Sequence, residues 1–223
     1  GFLDFSLWTL TGQLTENNYL IMVLACVWWT ISSILVLIYP RGNRVWQHQP
    51  VVKAVFGYLT LVPAWLALLT IREYHYLLDK DSGAWLALFV FSIVWSADIG
   101  AYFAGRAFGK AKLAPRVSPG KSWAGVWGGL AAVALLAVVA SQLAGATPVQ
   151  MALLIVATLV TGFVSVLGDL LESMLKRFRG IKDSSQLLPG HGGIMDRIDS
   201  LTAAIPVFAL IITLLGWLTT GHW

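Results

Sequence analysis

The chain has 223 residues, 57% of them hydrophobic and 12% charged, with 11 Trp, a net charge of +4 and a mean hydropathy of +0.74. A soluble domain carries about 25% charged residues and cannot cover its surface with half that share, so a disordered tail, a coiled coil and an ordinary cytosolic enzyme are excluded. The single cysteine, Cys26, makes no intrachain disulfide and no Cys-rich zinc site.

A spanning helix needs about 20 mostly apolar residues to cross about 30 Å of hydrocarbon. Runs of that kind predict six spans, at 19–39, 51–71, 84–105, 123–144, 149–171 and 201–219. They are continuous rather than alternating, which argues for an all-α polytopic transmembrane bundle and against a β-barrel. Residues 1–223 read as one integral-membrane domain, with 106–122 and 172–200 as its functional loops. The chain opens with Gly1 and shows no basic segment followed by an apolar run and a cleavage site, so no signal peptide is expected. A missing or trimmed N-terminal portion is expected instead.

Lys and Arg set the orientation. Arg41, Arg44 and Lys53 flank the first connection, and Arg72 and Lys80 lie in the second with three acids. The third holds Arg106, Lys110, Lys112, Arg116 and Lys121, and the fifth Lys176, Arg177, Arg179, Lys182 and Arg197. The fourth, around Gly145 to Pro148, is uncharged. Thirteen of the 15 basic residues therefore fall on one side, which predicts both termini outside and three basic connections in the cytoplasm. No internal repeat of the transporter kind is visible. Trp8, Tyr39, Trp46, Tyr74, Tyr76, Trp123, Trp217 and Trp223 read as an interfacial aromatic belt. Gly125, Gly128 and Gly129 read as a close helix-packing face.

Acids within spans are expensive and face a partner, a cavity or a metal. Asp98 lies late in the third span and Asp169 late in the fifth. Ser165, Asp169, Glu172 and Lys176 are spaced four, three and four, so they share one helical face. A structural polar face paired with basic residues is the plain alternative. The fifth connection is the most polar stretch in the chain. Its basic residues can neutralise phosphates, and Gly190, Gly192 and Gly193 let backbone N–H groups approach an oxyanion. Asp196 and Asp199 share a face at the start of the last helix. With Asp169 they form a carboxylate set suited to Mg²⁺ shared with a nucleotide. His191 has no second His nearby, so it reads as a loop hydrogen-bonder or pocket residue rather than a zinc ligand. The third connection ends in Gly120-Lys121-Ser122 like a P-loop, but Pro115 stands where the pattern requires Gly and no strand precedes it. That basic loop can hold a lipid headgroup or nucleotide phosphates, or simply lie against anionic lipid.

The stretch from Ser173 to Asp199 resembles the signature of the CDP-diacylglycerol synthases (phosphatidate cytidylyltransferases). Ser173, Lys176, Arg177, Lys182, Asp183, Pro189, Gly190, His191, Gly192, Gly193, Asp196, Arg197 and Asp199 meet its fixed positions. The segments at 98–105, 118–122 and 167–172 look like the same family, so the similarity runs from about Tyr39 onward. The resemblance implies transfer of a cytidylyl group from CTP to phosphatidic acid, giving CDP-diacylglycerol and pyrophosphate. It further implies a requirement for Mg²⁺, with K⁺ as an assisting cation. Asp169 and Asp196 are the expected metal ligands, with Glu172 and Asp199 supporting them; Lys182, Asp183 and Asp199 join them in the catalytic set. Lys176, Arg177, Lys182 and Arg197 would hold the triphosphate. His191, Gly192 and Gly193 would shape the nucleotide pocket. Ser118 and Lys121 are expected at the lipid phosphate, and Asp98 beside the metal site. The family also implies further N-terminal spans and a homodimer. The compact chain without an organelle address is expected in a bacterial inner (plasma) membrane, with the site on the basic, cytoplasmic side and no nucleic-acid partner. Two rivals remain: another CTP-dependent lipid transferase or kinase, and an ion-coupled transporter using Asp98 and Asp169 as a relay.

Overall fold

The computed structural model describes residues 16–73, 80–187, 189–190 and 192–220. Six helices carry the architecture: α1 (Glu16–Leu37), α2 (Pro50–Arg72), α3 (Ser82–Phe108), α4 (Trp123–Leu143), α5 (Pro148–Phe178) and α6 (Met195–Thr220). All six are long and apolar enough to cross a membrane. Trp85, Trp127 and Leu135, each about two-thirds exposed at 68%, 67% and 65%, point outward as lipid-facing side chains do. The chain is a multi-pass membrane protein.

Local signals account for the helix ends. Thr147 and Gln150 form a reciprocal capping box at the start of α5, with Pro148 in the first turn. Ser122 Oγ accepts from Gly125 N at 3.2 Å and caps α4. Helices α5 and α6 depart most from the expected bounds. Helix α5 runs seven residues past its predicted end at 171, to Phe178, and α6 begins six residues before 201, at Met195. Residues 172–178 and 195–200 are therefore helix rather than loop. Hydropathy stops at the first charge, whereas the helix continues because Lys176 and Arg177 favour a C-terminal turn and Asp196 an N-terminal one.

The third connection contains a two-stranded antiparallel hairpin, β1 (Lys112–Ala114) with β2 (Ser118–Ser122). Alternation over such short, polar strands is too weak to see in sequence. Val117, 2% exposed at the hairpin turn, plugs a core cluster with Trp28, Trp29, Leu170, Leu171 and Met174. A second cluster joins Ala67 and Ile71 of α2, Val90 and Ile93 of α3, Val133 of α4 and Phe208 of α6.

The glycine face behaves as expected. An added Cβ on Gly129 would lie 2.7 Å from Ala97 O, and one on Gly125 3.1 Å from Ala101 O, so α3 and α4 meet backbone to backbone. The aromatic belt holds only in part. Trp123 is 46% exposed, but Trp46 is 1% exposed and packs between Phe56 and Phe178, with ring centroids 6.2 and 4.5 Å away. Tyr39 packs against the same cluster. Trp8, Tyr74, Tyr76 and Trp223 lie outside the described residues, and the side chain of Trp217 is not described.

Candidate active site

Helices α5 and α6 cross in close contact at Gly168. A Cβ there would collide with Asp199 O and lie 3.0 Å from the Ala203 Cβ, so only glycine permits this crossing. The crossing brings Asp169 and Asp199 within Coulombic range of each other. The hairpin then adds a cation: Lys121 Nζ lies 2.6 Å from Asp169 Oδ2 and 3.4 Å from Val166 O. Asp98, accessible on α3, is in Coulombic range of both Lys121 and Asp169. Four segments of the chain, α3, the hairpin, α5 and α6, thus meet at one end of the bundle.

On α5 the predicted face is only partly assembled. Ser173 Oγ donates to Asp169 Oδ1 at 3.1 Å, and Lys176 Nζ lies 2.8 Å from Glu172 Oε2. Ser165 turns away and donates to Gly162 O at 2.8 Å, the usual choice of a serine inside an apolar helix. Lys176 also bridges to Asp196 Oδ1 at 2.6 Å. Asp199 stands against Glu172, acid beside acid, and among the described residues the buried Glu172 Oε1 meets no hydrogen-bond donor.

Asp196 organises the loop between α5 and α6. Its Oδ2 accepts from Ser184 N at 2.9 Å, Ser184 Oγ at 2.9 Å and Gly193 N at 2.7 Å. With Lys176 on Oδ1, both carboxylate oxygens are engaged. Gly192 has φ +79, and a Cβ there would lie 2.6 Å from Asp196 Oδ2; on Gly193 it would collide with Ser184 Oγ. The Gly-Gly step therefore exists to let the loop close on this carboxylate.

Other expected residues lie around this centre. Arg177 Nε donates to Val117 O at 3.3 Å and its Nη1 to Ile181 O at 3.4 Å, so it ties the hairpin to the end of α5 while its side chain stays exposed. Lys182 and Asp183 are exposed in the loop, Arg197 is exposed in the first turn of α6, and Ser118 is half-buried at the start of β2. His191 lies outside the described residues. Sequence reasoning missed Ser184 as a partner of Asp196 and Val117 as the hairpin's anchor. Neither has a spacing signal, because both act across long stretches of chain.

Among the described residues, no three acid, His or Cys side chains stand close enough to enclose a metal ion unaided. Mg²⁺ keeps waters and shares substrate phosphate oxygens, so an ion of that kind does not require a closed set of protein ligands. The donor chemistry fits such an ion. Asp98, Asp169, Glu172 and Asp199 gather carboxyl groups around Lys121 and Lys176, and among the described residues Glu172 Oε1 lacks a donor.

Comparison with known proteins is consistent throughout. The model of the family described as "Cytidylyltransferase family" matches residues 2–215. A phosphatidate cytidylyltransferase of Haemophilus influenzae is 47% identical over 210 residues, covering 87% of this chain and 73% of its own length. One from Pseudomonas aeruginosa is 49% identical over 197 residues, covering 88% and 70%. A Bacillus subtilis phosphatidate cytidylyltransferase is 36% identical over 162 residues, covering 71% and 58%.

Proposed function

Because this chain belongs to the cytidylyltransferase family, we propose that it transfers a cytidylyl group from CTP to phosphatidic acid, giving CDP-diacylglycerol and pyrophosphate. The observation that carries the reading is the Lys121–Asp169 contact of 2.6 Å, which draws the basic hairpin onto the acid-bearing helix. A transporter relay accounts for Asp98 and Asp169 but gives no work to the loop that Asp196 closes.

A phosphate oxygen of phosphatidate attacks the α-phosphorus of CTP in line, and the bond from that phosphorus to the α,β-bridging oxygen breaks, that oxygen leaving with pyrophosphate. The nucleophile is already anionic, so no strong general base is needed. Positioning and charge neutralisation carry the catalysis. Lys121 stands where it can meet a phosphate at the cost of its bond to Asp169. Lys176 can turn from Glu172 or Asp196 to the triphosphate, with Lys182 and Arg197 on the exposed side. Ser118 lies on the same hairpin for the lipid phosphate. The Gly192-Gly193 turn, with His191 before it, borders the nucleotide.

When bound, Mg²⁺ would neutralise the triphosphate and polarise the reacting phosphoryl group. Asp169 and Asp196 are the proposed ligands. Asp196 would have to release Lys176 or Ser184 first, so Asp199 and Glu172, with Asp98 nearby, stand as the supporting carboxylates. K⁺ is a second proposed ion at the same acids. The site is proposed to face the cytoplasm at the inner membrane, where CTP arrives from water and phosphatidate from the leaflet, and the protein to work as a homodimer.

Purified protein in detergent should release pyrophosphate only with CTP, phosphatidic acid and Mg²⁺ together, and EDTA should abolish the release. Release of CDP would mark a lipid kinase instead, and release of neither product would overturn the enzymatic reading.

A further inference from the structure

One flank of α3 carries Ile99, Tyr102 and Phe103, which are 58%, 59% and 66% exposed, as side chains bordering hydrocarbon are. Toward the loop end of the helix this apolar flank gains a charge. Arg106 is exposed in the last turn of α3, and its Nη1 donates to the Tyr102 hydroxyl at 3.1 Å. Among the described residues that hydroxyl is the partner recorded for the guanidinium, and no carboxylate meets it.

Asp98, Tyr102 and Arg106 follow at four-residue steps, so they share a strip of α3 about 12 Å long. The strip starts at the acid in Coulombic range of Lys121 and Asp169. Its other end stands beside the seat of the hairpin. An added Cβ would lie 3.4 Å from Ser122 Oγ on Gly105 and 2.8 Å from it on Gly109. These two glycines flank Arg106 in the chain, and Ser122 directly follows Lys121. The strip therefore leads from the exposed flank of α3 to the Lys121–Asp169 pair.

The other cations of the centre are placed differently. Lys121 is paired with Asp169, and Lys176 with Glu172 and Asp196. Lys182 is exposed in the loop between α5 and α6. Arg106 instead shares its helix flank with Ile99 and Phe103. The contact with Tyr102 also has a chemical direction. The phenol oxygen accepts from Arg106, which leaves its own O–H to donate, and the guanidinium keeps further N–H groups. A pair that offers donors and positive charge beside apolar side chains matches a phosphomonoester attached to hydrocarbon. A nucleoside triphosphate supplies the acceptor oxygens but nothing for the apolar flank.

We propose that Arg106 and Tyr102 form a docking site that receives the phosphate of phosphatidic acid from the leaflet before it passes along α3 to Lys121. The inference rests on the proposed reaction and adds the residues by which the lipid, and not CTP, is first held. An Arg–Tyr pair at a span end also anchors a helix at the membrane interface. Anchoring leaves substrate affinity unchanged, so kinetics separate the two roles.

The test measures CDP-lipid formation by the purified chain in mixed micelles of neutral detergent, varying phosphatidic acid and CTP separately. Arg106→Gln should raise KM for phosphatidic acid about tenfold or more, the range of a charge-assisted hydrogen bond, with KM for CTP unchanged. Tyr102→Phe should raise the lipid KM about three- to tenfold, as for a neutral hydrogen bond. Arg106→Lys keeps the charge without the planar fork and should fall between wild type and Arg106→Gln. Tyr102→Phe removes one oxygen from an exposed ring, so it decides the matter if Arg106→Gln fails to fold. Excess phosphatidylglycerol, a phosphodiester lipid, tests whether the monoester is read: the ratio of lipid KM values between Arg106→Gln and wild type should persist in its presence. A ratio that collapses to one would mean general attraction to an anionic surface and would overturn the proposal. Unchanged lipid KM in the folded variants, or an equal rise in both substrates' KM, would overturn it too. If wild type forms no CDP-lipid, the proposed function falls and this inference falls with it. Product formation with no selective change in lipid KM removes this inference alone.

Discussion

Asp169 and Asp196 are the two expected metal ligands, yet their surroundings separate them. Asp169 is met by one lysine and one serine hydroxyl, whereas Asp196 is held by Lys176, two backbone N–H groups and the Ser184 hydroxyl. Asn at 169 can still accept from Ser173, so the fold should survive its loss of charge. Asp169→Asn is therefore expected to lower pyrophosphate release by on the order of 10²-fold or more with an unchanged detergent melting profile; normal turnover would remove Asp169 from the reaction. Gly192→Ala tests the loop. Its φ of +79 and the 2.6 Å approach to Asp196 Oδ2 penalise any Cβ, by about 1–2 kcal/mol from the backbone alone. The expected result is a several-fold rise in KM for CTP. Gly120→Ala, where an added Cβ meets nothing within 4 Å, is the silent control. Residues of this kind were legible because charge inside an apolar run stands out. Trp46 was not: sequence shows a Trp near a span end, and only packing against Phe56 and Phe178 makes it core.

Between elements, the position of the site depends on two contacts of different kinds. Helices α5 and α6 cross at Gly168 through backbone, and the hairpin is held to α5 by Val117 in the core and by Arg177 on Val117 O. The helices were legible from hydropathy, with ends misplaced where charged turns continue the helix. The hairpin was not, since its polar residues at 118–122 carry no alternation and its hold on the bundle is tertiary. Gly168→Ala should be destabilising by about 1–3 kcal/mol, as expected for overpacking, because the obstacle is Asp199 backbone. Gly162→Ala should cost less, because the nearest atom to its Cβ is a Val133 methyl carbon at 3.1 Å, a side chain able to yield. Thermal unfolding of the two variants side by side gives the comparison; equal losses would mean that the α5–α6 crossing is not set at Gly168.

For the whole molecule, the distribution of charge and the site's location make one linked claim. The acidic cluster, the hairpin and the α5–α6 loop all lie at the end of the bundle that carries 13 of the 15 Lys and Arg residues. Basic connections are retained on the cytoplasmic side, so the same asymmetry that orients the bundle would present the site to soluble nucleotide. The opposite end offers the uncharged turn at Ala144–Ala146, with Gly145 at φ +64. Orientation is thus testable without any substrate. With Cys26→Ala as background, Ala144→Cys and Arg116→Cys place one thiol on each exposed end. A membrane-impermeant maleimide applied to intact cells should label Ala144→Cys alone, and Arg116→Cys should react only after the membrane is broken. The reverse pattern would put the acidic cluster outside, away from CTP, and would require the phosphate-bearing substrate to come from the other compartment.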